Sequence, residues 1–348
     1  MNVENLRILE HVTIEPDERL NFLLGDNGAG KTSVLEAIAV LSSGRSFRTS
    51  RASDLTGPAA AGLRVFASTR DQDGKEHRLG LERSSSHWLG RIDGNDVRRL
   101  SELSRLMPIV VLEPESHQLV SGPPEIRRRL LDWGMFHVEP SFLEHWRAFS
   151  RALKQRNAAL RAKQVDVLDG LDEVLSRHGD RLHQMRETHA DQLARSIEPT
   201  LAALKARLRG VKLSYLPGWR GETYRLALAN RRERDLDQGS TGSGPHRADL
   251  VIDSDGNHAR AVLSRGEQKA LAAALVITQA KLIMAQGRQP VFLLDDLYSE
   301  FDREHFDSVL EEVLATGGQV WMTGTERPAL PQPHRVFHVE QGRVNVMV

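Results

Sequence analysis

The densest chemistry in this sequence of 348 residues lies in Gly25-Asp26-Asn27-Gly28-Ala29-Gly30-Lys31-Thr32. The stretch follows the apolar run Phe22-Leu23-Leu24 and precedes Ser33-Val34-Leu35-Glu36-Ala37-Ile38-Ala39-Val40, which reads as a helix. Strand, glycine-rich loop and helix in that order make a phosphate-binding loop. The glycines let the backbone wrap a polyphosphate with its N–H groups turned inward, and the helix N-terminus adds partial positive charge. Lys31 is placed to reach the outer phosphates, and the Thr32 hydroxyl to take a position on Mg²⁺. A surface turn that happens to hold Gly and Lys is the bland alternative, but it explains neither flank. Binding of a nucleoside triphosphate is expected.

A second group of residues lies far along the chain. Pro290-Val291-Phe292-Leu293-Leu294-Asp295-Asp296 is a short apolar run ending in two carboxylates. Such a run suits a central parallel strand. Asp295 then stands where a nucleotide-bound Mg²⁺ needs a carboxylate, and Asp296 where an acid can orient or deprotonate an attacking water. Asp is shorter than the Glu usual at that position, so slow hydrolysis is expected. A strand ending at a solvated turn would also carry acids. Leu263-Ser264-Arg265-Gly266-Glu267-Gln268-Lys269 opens an Ala/Leu-rich helix that ends near Gly287. Ser264 and Glu267 form a capping box, which alone could justify both residues. A Ser hydroxyl and a Gly backbone at a helix N-terminus also form an anion site.

Elements must position these groups. Period-two alternation at Leu63, Val65 and Ala67, then at Leu79 and Leu81, predicts short antiparallel strands between Leu63 and Ile92. The turns fall at Asp73-Gly74 and Asp93-Gly94. Met107–Leu112 reads as a buried strand. After Ser121-Gly122-Pro123-Pro124 the pattern turns helical to about Gly210. Phe142, Trp146, Phe149 and Leu153 form one stripe, a helix-packing face rather than a base-stacking platform. Leu182, Met185, His189, Leu193 and Ile197 form a second, and Leu201, Leu204 and Leu208 a third, with Gly179 and Pro199 as punctuation. Phe301–Leu314 reads as a helix, Gln319–Thr323 as a strand, and Arg335–Glu340 with Arg343–Met347 as a closing hairpin.

Forty-seven basic and 47 acidic residues cancel, so any nucleic-acid contact must come from local patches. Arg147, Arg151, Lys154, Arg156, Arg161 and Lys163 follow one another without an acid. Between Lys205 and Arg234, nine basic side chains, Lys205, Arg207 and Arg209 among them, face only Glu222 and Glu233. Such runs are usually solvated helix faces; here the one-sided sign also makes them candidate contacts to a phosphate backbone. No run spans a bilayer, the N-terminus has no secretory signal, and there is no cysteine for a disulfide or thiolate metal site. A cytoplasmic chain is the default.

Ser-x-Gly-Glu-Gln upstream of an acid-ended strand resembles the signature of ABC-type ATPases, in the same order of motifs. The match narrows with Gly44-Arg45-Ser46-Phe47-Arg48-Thr49, Arg127-Arg128-Arg129-Leu130-Leu131-Asp132-Trp133-Gly134, Phe136-His137-Val138-Glu139-Pro140, Leu153-Lys154-Gln155-Arg156-Asn157 and Gly244-Pro245-His246-Arg247-Ala248-Asp249-Leu250. Together they resemble the RecF family of bacterial recombination mediators over nearly the whole chain. The resemblance implies an α/β P-loop NTPase, an ABC/Rad50-like ATPase head with an antiparallel β subdomain and an inserted helical lobe. Residues 1–120 and 239–348 would form the ATPase lobe and residues 121–238 the helical arm. It further implies an ATP-dependent DNA-binding protein of gap repair that dimerises on ATP. Such a protein works with RecO and RecR to place RecA on single-stranded DNA, and supports replication and the SOS response. Weak, DNA-dependent ATP hydrolysis would act as a release switch, and duplexes and single-strand/duplex junctions would be the DNA bound.

By position, Gly25 to Thr32 would bind ATP, with Asp295 on Mg²⁺ and Asp296 as the water-orienting acid. Ser264, Arg265, Gly266 and Glu267 would face the partner's γ-phosphate, and Ser299, Glu300 and Asp302 would form the D-loop. Phe301 stands where Leu is more usual. No His follows Thr323-Gly324-Thr325, so a transporter-like switch is absent. The N-terminus, Asn5-Leu6-Arg7-Ile8-Leu9, leaves room for less than the usual first strand, which would weaken the first sheet. Competing classes are a non-DNA clamp, a transporter ATPase subunit, a P-loop kinase and a nucleotide-binding structural protein without turnover.

Overall fold

The structure, a computed structural model, describes residues 1–347 apart from 58, 59, 71, 72, 85, 86, 207, 222 and 332. Arg207 and Glu222, singled out above, therefore lie outside the described residues. The chain divides into two compact units: Met1–Ser116 with Ala203–Lys205 and Ile283–Val348, and His117–Ala202 with Ala206–Leu282.

In the first unit, β1 (Asn2–Leu6) and β2 (Leu9–Thr13) form a hairpin, and β3 (Leu20–Leu24) runs into the glycine-rich loop that opens α1 (Lys31–Ser43). β4 (Gly62–Arg70), β5 (Glu76–Ser84), β6 (His87–Ile92) and β7 (Asn95–Asp96) then complete an antiparallel sheet ordered β2-β1-β4-β5-β6-β7. Its period-two pattern is the expected one: Leu63, Val65, Leu79 and Leu81 are buried against α1 residues such as Val34, Ile38 and Leu41 in one apolar cluster. The weakening expected at the N-terminus is not seen. β1 is an interior strand, with Val3 paired to both Val12 and Val65. α2 (Ser101–Leu106) leads into β8 (Ile109–Leu112).

The second unit holds α3 (Gln118–Ser121), α4 (Pro124–Val138), α5 (Phe142–Arg161), α6 (Leu168–Ala203), β9 (Lys212–Leu216), α7 (Tyr224–Gln238), β10 (Asp249–Ser254), β11 (Asn257–His258), α8 (Ala259–Val262) and most of α9 (Arg265–Met284). The division thus falls at Leu282 rather than at 238. Residues 239–282 are tied in by β10 pairing with β9, by Arg127 on Asp249 (2.8 Å), and by His189 on Gln279 (2.8 Å). Phe142 and Phe149 lie in the buried cluster of this unit, so the aromatic stripe is a packing face; Trp146 remains 39% exposed.

The second and third stripes differ from expectation. α6 is one helix of 36 residues that continues through Gly179 and contains Pro199, and it ends at Ala203, before Leu208. Pro199 removes one backbone hydrogen bond, but Ile197 and Leu201 beside it are buried, and that packing holds the helix together. Gly179 is a close approach instead of a break. A Cβ there would sit 2.7 Å from Cδ1 of Tyr224, whose ring is fully buried and whose hydroxyl donates to Ser243 O at 3.0 Å. Gly179→Ala is expected to destabilise the chain by about 1–3 kcal/mol. A urea midpoint equal to the wild type would contradict this packing.

The last segment returns to the first unit as β12 (Val291–Leu294), α10 (Leu297–Glu300), α11 (Arg303–Ala315), β13 (Val320–Gly324), β14 (Arg335–Glu340) and β15 (Arg343–Met347). The second sheet is ordered β15-β14-β3-β13-β12-β8, parallel except for β15 at its edge. Parallel strands covered on both faces read as unbroken apolar runs, which explains Phe292-Leu293-Leu294 and Val320-Trp321-Met322.

Candidate functional site

β3 and β12 flank β13, so their C-terminal ends open on one side of the sheet, where ligands of such sheets bind. The glycine-rich loop leaves β3 there. Gly28 and Gly30 have φ of 80° and 111°, left-handed values that L side chains rarely adopt, and Gly30 caps α1. Gly25 has no room for a side chain: a Cβ would lie 2.2 Å from Val339 O. Asp26, Asn27 and Gly28 are exposed while Gly25, Ala29 and Gly30 are buried, as in a loop that is braced below and open above. Lys31 is only 4% exposed. Its ammonium donates to Gly25 O at 2.9 Å and Asp26 O at 3.0 Å, inside the loop.

Asp295, the residue after β12, meets that loop. The Thr32 hydroxyl donates to Asp295 Oδ1 at 2.8 Å across 263 positions of sequence. Thr323, at the end of β13, donates to the same oxygen at 2.8 Å and accepts from the backbone N–H of Asp296, also at 2.8 Å. Burial pushes the Asp295 carboxyl up, while these two hydroxyls pull it back down. Asp296 follows in the left-handed region, φ 49°, partly exposed, with its Oδ1 3.4 Å from the same Thr323 hydroxyl. A hydroxyl and a carboxylate in contact are hard oxygen donors, the type that suits Mg²⁺. Among the described residues no three His, Asp or Glu side chains gather into a metal cage. An ion here would depend on phosphate oxygens and water for its other ligands, as Mg²⁺ does in nucleotide sites.

Sequence reasoning missed two carboxylates in this unit, the first of them beside this centre. Glu113 follows β8, and the neighbouring strand end is fixed by Asp295 N–H donating to Leu112 O at 2.8 Å. Burial, with Asp295 and Glu115 nearby, pushes the Glu113 carboxyl up to about 7, against the pull of Arg48. Its folded value exceeds its ordinary 4.5, so the folded chain keeps a proton that the unfolded chain releases. The associated stability is full below the lower value and is lost as pH rises toward the upper one. Glu113→Gln should flatten this decline by on the order of 1–3 kcal/mol at pH 8 relative to pH 5. Identical pH dependence of the urea midpoints in the two proteins would contradict it. Glu36 is the other: fully buried on α1, it receives Arg7 Nε and Nη2, both at 2.8 Å, and the Ser46 hydroxyl. A lone carboxylate inside the apolar run Val34–Val40 was the available signal.

The remaining predicted residues fall in two places. Ser299, Glu300 and Asp302 stay in the first unit, around α10. Ser299 Oγ donates to Asp296 O at 2.7 Å, and Asp302 caps α11 by accepting from His305 N–H at 2.9 Å. Ser264, Arg265, Gly266 and Glu267 belong to the second unit. There the capping box is formed: Ser264 N–H and Oγ donate to Glu267 Oε2 at 2.8 and 2.7 Å, which holds that carboxyl below its ordinary value. Ser264, Arg265 and Gly266 are exposed.

Among the candidate DNA contacts, Lys154, Arg161, Lys163 and Arg209 are exposed. Lys205, also exposed, lies in the first unit and pairs with Glu304 at 3.0 Å. Arg156 must be withdrawn. It is fully buried, with Nε on Asp172 at 2.6 Å and Nη1 on Asp235 at 2.7 Å and Thr241 Oγ1 at 2.9 Å. Its charge is consumed inside the helical unit and reaches no phosphate.

The profile of the RecF/RecN/SMC N-terminal domain matches residues 1–346. The chain is 41% identical over 359 aligned positions to the DNA replication and repair protein RecF of Xanthomonas euvesicatoria, covering 99% of this chain and 97% of that one. It is 42% identical over 353 positions to the protein of the same name in Stenotrophomonas maltophilia, covering 98% and 97%. Among solved structures, the recombination mediator protein RecF with ATP in the RecFOR pathway superposes with a TM-score of 0.90 at 26% identity, covering 100% of this chain and 96% of that one. An Smc head bound to the C-terminal winged-helix domain of ScpA shares the fold at TM-score 0.60 and 16% identity.

Proposed function

Because the chain belongs to the RecF/RecN/SMC N-terminal family, we propose that it is an ATP-binding DNA replication and repair protein whose nucleotide site is the Thr32–Asp295 junction. The 2.8 Å contact between the loop hydroxyl and the strand-end carboxylate carries this reading. It joins the two halves of a phosphate site from opposite ends of the sequence, and the family resemblance supplies ATP as the nucleotide.

Gly25 to Thr32 wrap the triphosphate, and Lys31 turns its ammonium from the loop carbonyls to the outer phosphates. Thr32 and Asp295 hold Mg²⁺, which neutralises the phosphates when bound. Asp296 orients the attacking water. Its short side chain predicts slow turnover, and Thr323 fixes its backbone. The signature residues Ser264, Gly266 and Glu267 act on the nucleotide of a second copy, so ATP joins two heads and hydrolysis releases them. Ser299, Glu300 and Asp302 lie at that seam. DNA, duplex or at single-strand junctions, is bound by the exposed Lys154, Arg161, Lys163 and Arg209. RecO, RecR and RecA are the proposed partners in gap repair and the SOS response, in the cytoplasm. No helix among the described residues is long and apolar enough to cross a membrane.

Two experiments test this reading. Light scattering should show a mass doubling with ATP and Mg²⁺; a wild type that stays monomeric at saturating ATP would end the dimer proposal. Gel shifts on duplex, gapped and single-stranded DNA should show ATP-dependent binding that weakens steeply with salt. Neutralising Lys154, Arg161 and Lys163 together should lower that salt slope by up to about 2–3. An unchanged slope would remove this patch from the interface.

A further inference from the structure

The outer face of the antiparallel sheet carries a glycine that the fold itself does not require. Gly80 lies in the middle of β5, opposite Phe66 on β4 and Arg91 on β6. Glycine inside a strand weakens it, and commonly marks a bulge or a close approach. Two other glycines of this sheet have such a cause. A Cβ on Gly62 would lie 2.3 Å from Arg83 O, and one on Gly90 2.8 Å from Val97 Cγ2. At Gly80 the cause is missing. A Cβ there would meet, within 4 Å, only Arg91 Cβ at 3.8 Å and Phe66 Cδ2 at 3.9 Å, and its φ is not left-handed. A side chain would fit at this position, so its absence leaves space.

That space has a definite shape. β4 and β6 lie on opposite sides of β5, so the Phe66 ring and the Arg91 stem wall it from both sides. One carbon between them is in ordinary contact with each, which is the thickness of a single flat ring. The slot belongs to a hollow of about 790 Å³. Phe66 is 42% exposed and Leu89, on the rim, 37%. An aromatic side chain entering it would stack on Phe66 and lie against the Arg91 guanidinium.

The charges around the slot select its occupant. Arg64 is paired with Glu82 at 3.1 Å, and Arg91 with Asp96 at 2.9 Å. Asp93 accepts from the Arg78 N–H at 2.8 Å and lies 3.0 Å from His77 Nδ1. The Arg78 guanidinium is exposed and has no ion pair among the described residues. The rim therefore offers one surplus positive charge and no basic track. A DNA strand brings a phosphate with every base, and those beyond the first would meet Glu82 and Asp93. A peptide can bring one ring and one carboxylate. Arg78 stands two residues from Gly80 on the same face of β5, about 7 Å away. In an extended peptide the matching acid stands two positions from the ring.

We propose that the slot over Gly80 is a docking site for a partner protein's extended segment, which inserts an aromatic side chain between Phe66 and Arg91 and sets an Asp or Glu two positions away on Arg78. The site is separate from the nucleotide centre and does not depend on the reading given for it.

The test uses the full chain and the fluorescein-labelled peptide Gly-Ser-Trp-Gly-Asp-Gly, followed by fluorescence anisotropy. The wild type should bind it saturably, and the same peptide with alanine for tryptophan should bind on the order of tenfold more weakly. Gly80→Val fills the slot with a residue that suits a strand, so it should melt no lower than the wild type yet lose on the order of tenfold in affinity. Arg78→Glu should weaken binding of this peptide and strengthen binding of one with lysine for aspartate. No saturable binding by the wild type would overturn the proposal, as would equal affinity in Gly80→Val or equal affinity for the alanine peptide. A labelled oligothymidine that binds in place of the peptide and is lost in Gly80→Val would overturn it too, by assigning the slot to a base. Should Gly80→Val melt below the wild type, Phe66→Ser, which removes one wall, takes its place with the same expected loss.

Discussion

Lys31→Ala is expected to abolish ATP-induced dimerisation and to reduce ATP turnover by on the order of 10²–10³-fold. The reason is local. The Lys31 ammonium is almost wholly buried within the loop, at 2.9 and 3.0 Å from the carbonyls of Gly25 and Asp26. No other Lys or Arg lies in the loop from Gly25 to Thr32, so no neighbour restores the charge. If two heads are joined through their nucleotides, a head that cannot hold its triphosphate cannot join. Light scattering on the variant with saturating ATP and Mg²⁺ should return the monomer mass. A doubled mass would mean that assembly does not pass through this loop.

The second large effect concerns stability. Arg156→Ala should cost about 3–5 kcal/mol, because it strands Asp172 and Asp235 as uncompensated buried charges. Arg232 reaches Asp172 at 2.8 Å but is itself shared with Asp169, and Asp235 has Arg231 only at 3.8 Å. The remaining cations therefore cannot take over. Replacing the guanidinium by a shape-filling Met should cost nearly as much, since the acids remain. Urea unfolding of the helical transition should show the loss. A variant within ~0.5 kcal/mol of the wild type would mean that the acids take up protons at little cost. DNA binding of a folded Arg156 variant should keep its salt slope, which separates this residue from the exposed Lys154, Arg161 and Lys163.

The contrast between these two residues shows what the sequence could reveal. The loop around Lys31 is a short-range motif whose meaning lies in adjacent residues, and the apolar run into Asp295 and the capping box at Ser264 are equally local. Arg156 lies in a basic run that looks solvated, and only α6 and α7, with Asp172 and Asp235 at 16 and 79 positions' distance, supply the acids that bury it. Pro199 misled for the same reason, since Ile197 and Leu201 are held by packing that local propensity does not encode. Glu113 was legible only as the end of a strand. Its unusual carboxyl depends on β8 lying next to β12, a neighbour 182 positions on. The division at Leu282 likewise depends on β10 meeting β9 and on Gln279 meeting His189. The antiparallel subdomain and the parallel strands were readable because period and burial are written into each segment.

The sheet order has a consequence for how this molecule is made. β3 leads into the phosphate loop, yet its two hydrogen-bonded neighbours, β13 and β14, come about 300 positions later in the sequence. A growing chain halted before Val320 owns every loop glycine and still has an unpaired strand beneath them. Nucleotide affinity should thus arrive late and abruptly during translation, and fragments released early would compete for none of the cell's ATP.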